Sequence, residues 1–423
     1  MKTGRILRRI ATIVLGPVLV LILSACGQQA TDTESVGQSQ LQSSLPTPPN
    51  DLLAAGGDLS IDPNAFPAQP PSVVPQYKID PFWPKPLPNN WIIGQVSGLA
   101  VDRHDHVWIV HRPRSLTAHE AAAVQNPPTA DCCVPAPSII EFDSDGSVVQ
   151  AWGGPTWSQD LGEWVDPEDG WPANEHGLFV DHEDNLWMGG NGMDDHVVLK
   201  MSPSGGRLLT IGYWYETGGS NDPQRLGRPA DIAVDPDTRE VFVADGYLNH
   251  RIVVFDADTG EYKRHWGAYG ELPSDEPWSE YDPEAEQFRG YRNPVHTVRL
   301  SVDGLLYMTD RTSNRIQVFL RDGTFVREAI IAPQTLGQGS AWDLALSSDP
   351  AQAWLFMADG HNKKVWIISR EDLTVAGSFG QGGRQAGHFE WVHNIASDSY
   401  GNLYTAEVNT GKRVQKFMPG IID

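Results

Sequence analysis

Thirteen histidines are scattered through 423 residues, and three of them precede the same kind of apolar strand in a recurring unit. Aligned on that strand, six copies of the unit place Ser97, His176, Ala230, His296, Trp342 and His393 at one register position. If the copies surround an axis, every second one aims an imidazole at a common point. Three neutral imidazoles, with a fourth position open to water or substrate, make the ligand set of a catalytic zinc site. Imidazole also suits iron, copper and manganese, and geometry selects among them. The competing account is three unrelated histidines, and a shared register on alternate units argues against it.

The unit that carries them is a short apolar strand, an acidic turn, a second apolar-aromatic strand and often a third. It recurs as GLAVDRHDHVWIV from Gly98, GLFVDHEDNLWM from Gly177 and DIAVDPDTREVFVADGYLNHRIVVF from Asp231. Further copies start at Thr297, Asp343 and Asn394, and successive starts are 79, 54, 66, 46 and 51 residues apart. Apolar and polar residues alternate with period two, and Asp, Asn and Gly fill the turns, as strands and tight turns require. Repeats of this length with several short strands describe propeller blades. The unit tails, Asn249-His250-Arg251-Ile252-Val253 and Asn314-Arg315-Ile316-Gln317-Val318, match the NHL signature. The expected fold is all-β, a six-bladed NHL-type β-propeller, and a closed ring removes the exposed edges that an open solenoid would keep. The long first spacing holds an insertion at about 113–172, with Cys132 and Cys133 and then Trp157, Trp164 and Trp171. The adjacent cysteines are either a vicinal bridge or two free thiols.

Over residues 90–418 the chain resembles the peptidyl-α-hydroxyglycine α-amidating lyase family, zinc lyases that finish C-terminal peptide amidation. The resemblance implies that His176, His296 and His393 are zinc ligands. Arg112 in Val110-His111-Arg112 and Arg311 in Thr309-Asp310-Arg311 fall on active-site arginines. Tyr247 in Asp245-Gly246-Tyr247 falls on the catalytic tyrosine. These types suit the roles: a guanidinium holds an anionic group bidentately, and a phenol passes a proton. Taken singly, Tyr247 is equally a turn aromatic, and Arg311 an ion-pair partner of an acid such as Asp310.

Departures from the family pattern surround the metal position. The family usually carries Asp after its third histidine, contributing to a structural Ca2+; this chain has Asn394, which still offers an oxygen beside backbone carbonyls near Leu178 and Ala100. Trp391 replaces a common Met, and Leu248 a Cys beside the tyrosine. They imply the same metal in a different pocket.

Ahead of the repeats, Lys2, Arg5, Arg8 and Arg9 precede an apolar run from Ile10 to Leu23 that ends in Leu23-Ser24-Ala25-Cys26. This reads as a lipoprotein signal peptide over 1–25 with Cys26 lipidated. Residues 26–76, rich in Gln, Ser, Thr, Pro and Ala, read as a disordered tether, with the propeller over 77–423. The expected product is an exported monomer facing the periplasm or extracellular space, touching a membrane through its lipid only. Its 31 Lys and Arg stand against 54 Asp and Glu, a net charge of −23, which excludes a nucleic-acid partner because phosphate binding depends on cations.

Three functions fit these residues. The first is a zinc lyase cleaving a hemiaminal C–N bond to an amide and glyoxylate, with a small-molecule or peptide-derived substrate. The second is a zinc hydrolase or lactonase on the same scaffold. The third is a tethered, non-enzymatic binding propeller with a structural metal, which would leave Arg112, Tyr247 and Arg311 without a task.

Overall fold

The computed structural model describes residues 73–420. The signal peptide read at 1–25, Cys26 and nearly all of the tether lie outside the described residues.

Six four-stranded antiparallel sheets form the propeller blades. Their innermost strands are Gln95–Val101, Glu175–Val180, Asp231–Asp235, Val295–Leu300, Asp343–Leu346 and Val392–Ser397. An acid folds the turn after that strand in blades one, two, three and six, and Ser301 and Ser347 hold its place in blades four and five. The Asp181 carboxylate accepts the backbone N–H groups of Glu183 and Asn185 at 2.9 and 2.8 Å, and Asp398 accepts those of Tyr400 and Asn402. Such Asx turns let a short acidic side chain replace backbone partners. The other Asp181 oxygen takes the indole N–H of Trp187 at 2.9 Å, which ties the turn to the second strand.

Neighbouring blades cover both faces of the inner strands, which are buried nearly throughout, whereas the outermost strands, such as Tyr262–Trp266 and Val375–Phe379, are partly exposed. Between blades three and four, Phe242 and Val254 pack against Val298, Met308 and Phe319. Each such side chain contributes roughly 1.5–3 kcal/mol on full burial.

The arginine of the NHL signature has a structural task. Arg251 pairs with Asp245 at 2.9 Å, both fully buried, and donates to the carbonyls of Ser220, Asp222 and Arg225. Arg315 pairs with Asp310 at 2.7 Å and reaches Gly290, while Arg413 pairs with Glu407 and reaches His388. Each guanidinium therefore fastens the loop that enters its own blade and delivers the ring-position residue.

Blade six is built from both ends of the propeller. Tyr77–Asp80 pairs antiparallel with Val414–Pro419, from Tyr77 opposite Pro419 to Asp80 opposite Lys416. In blade one, Ile139–Phe142 and Val148–Trp152 are the outer strands. The surrounding insertion forms two short 3-10 turns and a hairpin, Thr156–Ser158 with Glu163–Val165, on which Trp157 meets Trp164 edge-on at 5.5 Å. Cys132 and Cys133 form a vicinal disulfide.

Candidate metal centre and its surroundings

The three register histidines converge. Ring centroids are 5.1 Å apart for His176 and His296, 4.8 Å for His176 and His393, and 5.1 Å for His296 and His393. Their ligand nitrogens all lie within 4.8 Å of one another, and all three side chains are buried. A bulge aims each ring. In blade four Val295 pairs with Asp310 and Thr297 with Thr309, leaving His296 as the extra residue; His393 is the extra residue in blade six. In blade two the irregularity follows His176. There Gly177 has φ +66°, and a Cβ on it would lie 2.4 Å from the Ala230 carbonyl oxygen. Bulges characteristically re-aim side chains beside functional sites.

The positions without histidine help to orient those with it. His176 Nδ1–H donates to the Ala230 carbonyl at 2.7 Å and His296 Nδ1–H to the Trp342 carbonyl at 2.5 Å. Ala230 and Trp342 occupy the same register position on blades three and five. His393 Nδ1–H donates to the Asn394 side-chain oxygen at 2.6 Å. With Nδ1 protonated and engaged, Nε2 is the bare nitrogen on each ring, the arrangement in which metal-binding histidines are held. Burial holds all three below the ordinary histidine pKa, His393 at about 3, with Arg311 reinforcing the effect on each and Arg112 on His176 and His393. They are neutral at pH 7, as ligation requires.

Tyr247 follows the second strand of blade three. Its hydroxyl lies 2.9 Å from His176 Nε2 and 3.2 Å from His296 Nε2, and Arg311 donates to it at 3.3 Å. Arg311 is not the partner of Asp310, whose carboxylate takes Arg315 instead. Its guanidinium stacks 4.2 Å over Trp342 and donates to Gln338 at 2.8 Å. Arg112, from the end of a blade-one strand, donates to the Glu175 carbonyl, to Gln95 and to Asn191 at 2.9, 3.0 and 3.4 Å. Burial lowers the pKa of both arginines from its usual value, with Tyr247 acting against it. Arg112, Tyr247, Arg311, Trp342, Trp391 and His393 line one cavity of about 270 Å³. The repeat register did not mark Gln95, Asn191 or Gln338, because they sit at strand ends and in loops.

A ligand set of three neutral imidazoles with preset tautomers fits a zinc ion, with Tyr247 and Arg311 beside the remaining position. The residues of the layer beneath do not fit calcium. The Asn394 oxygen faces His393 Nδ1, its amide donates to Asp343 at 3.1 Å, and a guanidinium, that of Arg299, lies between the carboxylates of Asp231 and Asp343.

The NHL repeat family matches residues 226–255. Peptidyl-glycine alpha-amidating monooxygenase B of Xenopus laevis is 27% identical over 355 residues, covering 78% of this chain and 34% of that protein. Peptidyl-alpha-hydroxyglycine alpha-amidating lyase 1 of Drosophila melanogaster is 26% identical over 359 residues, 79% of this chain and 58% of that one. NHL repeat-containing protein 3 of Mus musculus is 25% identical over 365 residues, 82% and 85% of the two chains. This chain thus spans about a third of the length of the Xenopus monooxygenase it matches. It is a six-bladed β-propeller carrying an NHL repeat, similar in sequence to peptidyl-α-hydroxyglycine amidating lyases and to the larger amidating monooxygenases.

Proposed function

We propose that this protein is a zinc-dependent carbon–nitrogen lyase that converts an α-hydroxyglycine hemiaminal to an amide and glyoxylate. The observation that carries the reading is the Tyr247 hydroxyl, which lies within 3.2 Å of the metal-facing nitrogens of two of the three histidines while accepting from Arg311. The relatives named as amidating enzymes support it.

His176, His296 and His393 would hold the ion, which when bound supplies Lewis acidity at the open position. The substrate carries an anionic carboxylate next to the reacting carbon. Arg112 and Arg311, which enter the cavity from opposite sides of it, bind that group and orient the carbon between them. The Tyr247 hydroxyl takes the proton of the carbinol as the carbon–oxygen double bond forms and passes its own proton to the departing amide nitrogen as the carbon–nitrogen bond breaks. Trp342 and Trp391, stacked edge-on at 5.5 Å, wall the cavity against water. Anchoring through Cys26 belongs to the same proposal and places this chemistry outside the cytoplasm.

The test is glyoxylate release from α-hydroxyhippurate by zinc-loaded protein. Turnover that disappears in Tyr247→Phe with zinc retained supports the reading. No glyoxylate, together with turnover of an ester or lactone panel, replaces it with hydrolysis on the same trio.

A further inference from the structure

Next to the histidine layer two buried acids flank blade four, Asp231 from blade three and Asp343 from blade five. Thr297 of blade four lies between them, its hydroxyl 2.5 Å from Asp231 and 2.7 Å from Asp343. The N–H of Val298 donates to Asp231, and those of Leu344 and Ile395 to Asp343. These neutral donors do not cancel two desolvated charges. Burial pushes the Asp231 carboxyl up to about 6, with Arg299 opposing the shift and Asp343 adding to it. Such a layer requires a cation.

The chain supplies one. Arg299, three residues past His296 on the same strand, donates to Asp231 through Nη1 and to Asp343 through Nη2 at 2.7 Å. Its Nε donates to the Leu344 carbonyl at 2.9 Å and Nη1 also to the Val298 carbonyl at 2.8 Å. Four of the five N–H donors a guanidinium owns are therefore placed. Ala100 and Leu178, whose carbonyls were the other expected calcium ligands, line with Arg299 one cavity of about 330 Å³.

We infer that the Arg299 guanidinium is the resident cation of this channel layer, standing in for a divalent metal ion, and that removing it turns the Asp231–Asp343 layer into a calcium site. The vacated layer would offer four carboxylate oxygens, the Thr297 hydroxyl and the Leu344 and Val298 carbonyls. That is the hard-oxygen set, six to eight ligands in number, that calcium takes. A fixed guanidinium makes this part of the propeller indifferent to the calcium level around it. The inference is independent of the lyase reading, because it concerns charge in the channel and not turnover.

The test is equilibrium dialysis against radioactive calcium, with saturating zinc keeping the histidine site filled, alongside melting with and without calcium. The natural protein and Arg299→Lys should retain no calcium, and their Tm should not move. Arg299→Ala should retain about one calcium per chain and gain several degrees of Tm on its addition, since a ligand bound only by the folded state stabilises it. Stoichiometric calcium in the natural protein that is lost in Asp343→Asn would overturn the inference. A folded Arg299→Ala that binds no calcium overturns its second half. Should Arg299→Ala not fold in calcium-free buffer, refolding it with calcium present decides the matter: recovery supports a calcium site, and failure at every calcium level counts against one.

Discussion

The Nδ1 of His176 lies 2.7 Å from the carbonyl oxygen of Ala230. These residues hold the same register position on neighbouring blades, so a blade without a ligand orients one that has it. His296 and Trp342 repeat the relationship at 2.5 Å. The alternation of histidine with other residues is thus part of how the centre is built.

Replacing His176, His296 or His393 with Ala should lower zinc affinity by more than the roughly 10–100-fold that follows loss of an outer partner. Elemental analysis of protein dialysed at fixed free zinc measures this. Full zinc occupancy in any single variant would remove that residue from the ligand set.

Tyr247→Phe should keep its zinc and lose turnover by roughly 10²–10⁴-fold, the usual range for a proton-transferring group. The drop should appear in kcat, with KM little changed, because Arg112 and Arg311 remain to hold the substrate. A variant that retains most of its kcat moves the proton transfer elsewhere.

Acid should weaken the metal-free fold through four buried histidines. His111 and His393 are held at about 3, and His176 and His296 well below the ordinary 6.5, by burial. The unfolded chain takes up protons near 6.5 that the folded chain refuses. Stability from these groups is therefore full above about pH 6.5 and declines as pH falls toward 3. Melting curves of zinc-free protein between pH 8 and 4 should show Tm falling on the acid side. A flat profile would mean that the rings protonate in place.

Arg315→Met should cost about 3–5 kcal/mol in denaturant unfolding, because it strands the buried Asp310 carboxylate. It should also loosen the entry loop at Gly290 that leads to His296, so zinc affinity should fall with stability. Loss of stability with zinc affinity intact would separate that loop from the metal centre.

Cys26→Ser should shift the protein from the membrane fraction to the soluble one, read by fractionation and blotting. Unchanged membrane association of the variant would rule out Cys26 as the anchor.

The blades and the histidine ring were legible because side-chain type repeats at fixed register. His296 and His393 fall one residue before a recognisable strand, and the bulge that turns them inward preserves that place. The partners of those rings were not legible. Ala230 and Trp342 act through backbone carbonyls, which no residue type advertises, and Asn191 and Gln338 reach the cavity from segments without periodicity. Arg299 looked like any polar residue of an alternating strand. Its meaning depends on Asp231 and Asp343, which adjoin it only once blades three, four and five are assembled. Residue type alone offers Asn394 as a calcium ligand, whereas its oxygen serves His393 and its amide serves Asp343.

Blade six, whose outer strand Tyr77–Asp80 pairs with Val414–Pro419, also sets a timetable for synthesis. Ribosomes add about 5–20 residues per second, so the first strand waits on the order of tens of seconds for its mate. Throughout that interval it presents an unpaired edge, and once Val375–Phe379 completes blade five, five blades stand as an open arc. A ribosome that stalls a few codons early leaves a chain with every ligand and every arginine staple but no latch. The two ends of the propeller must therefore be made, and kept, together.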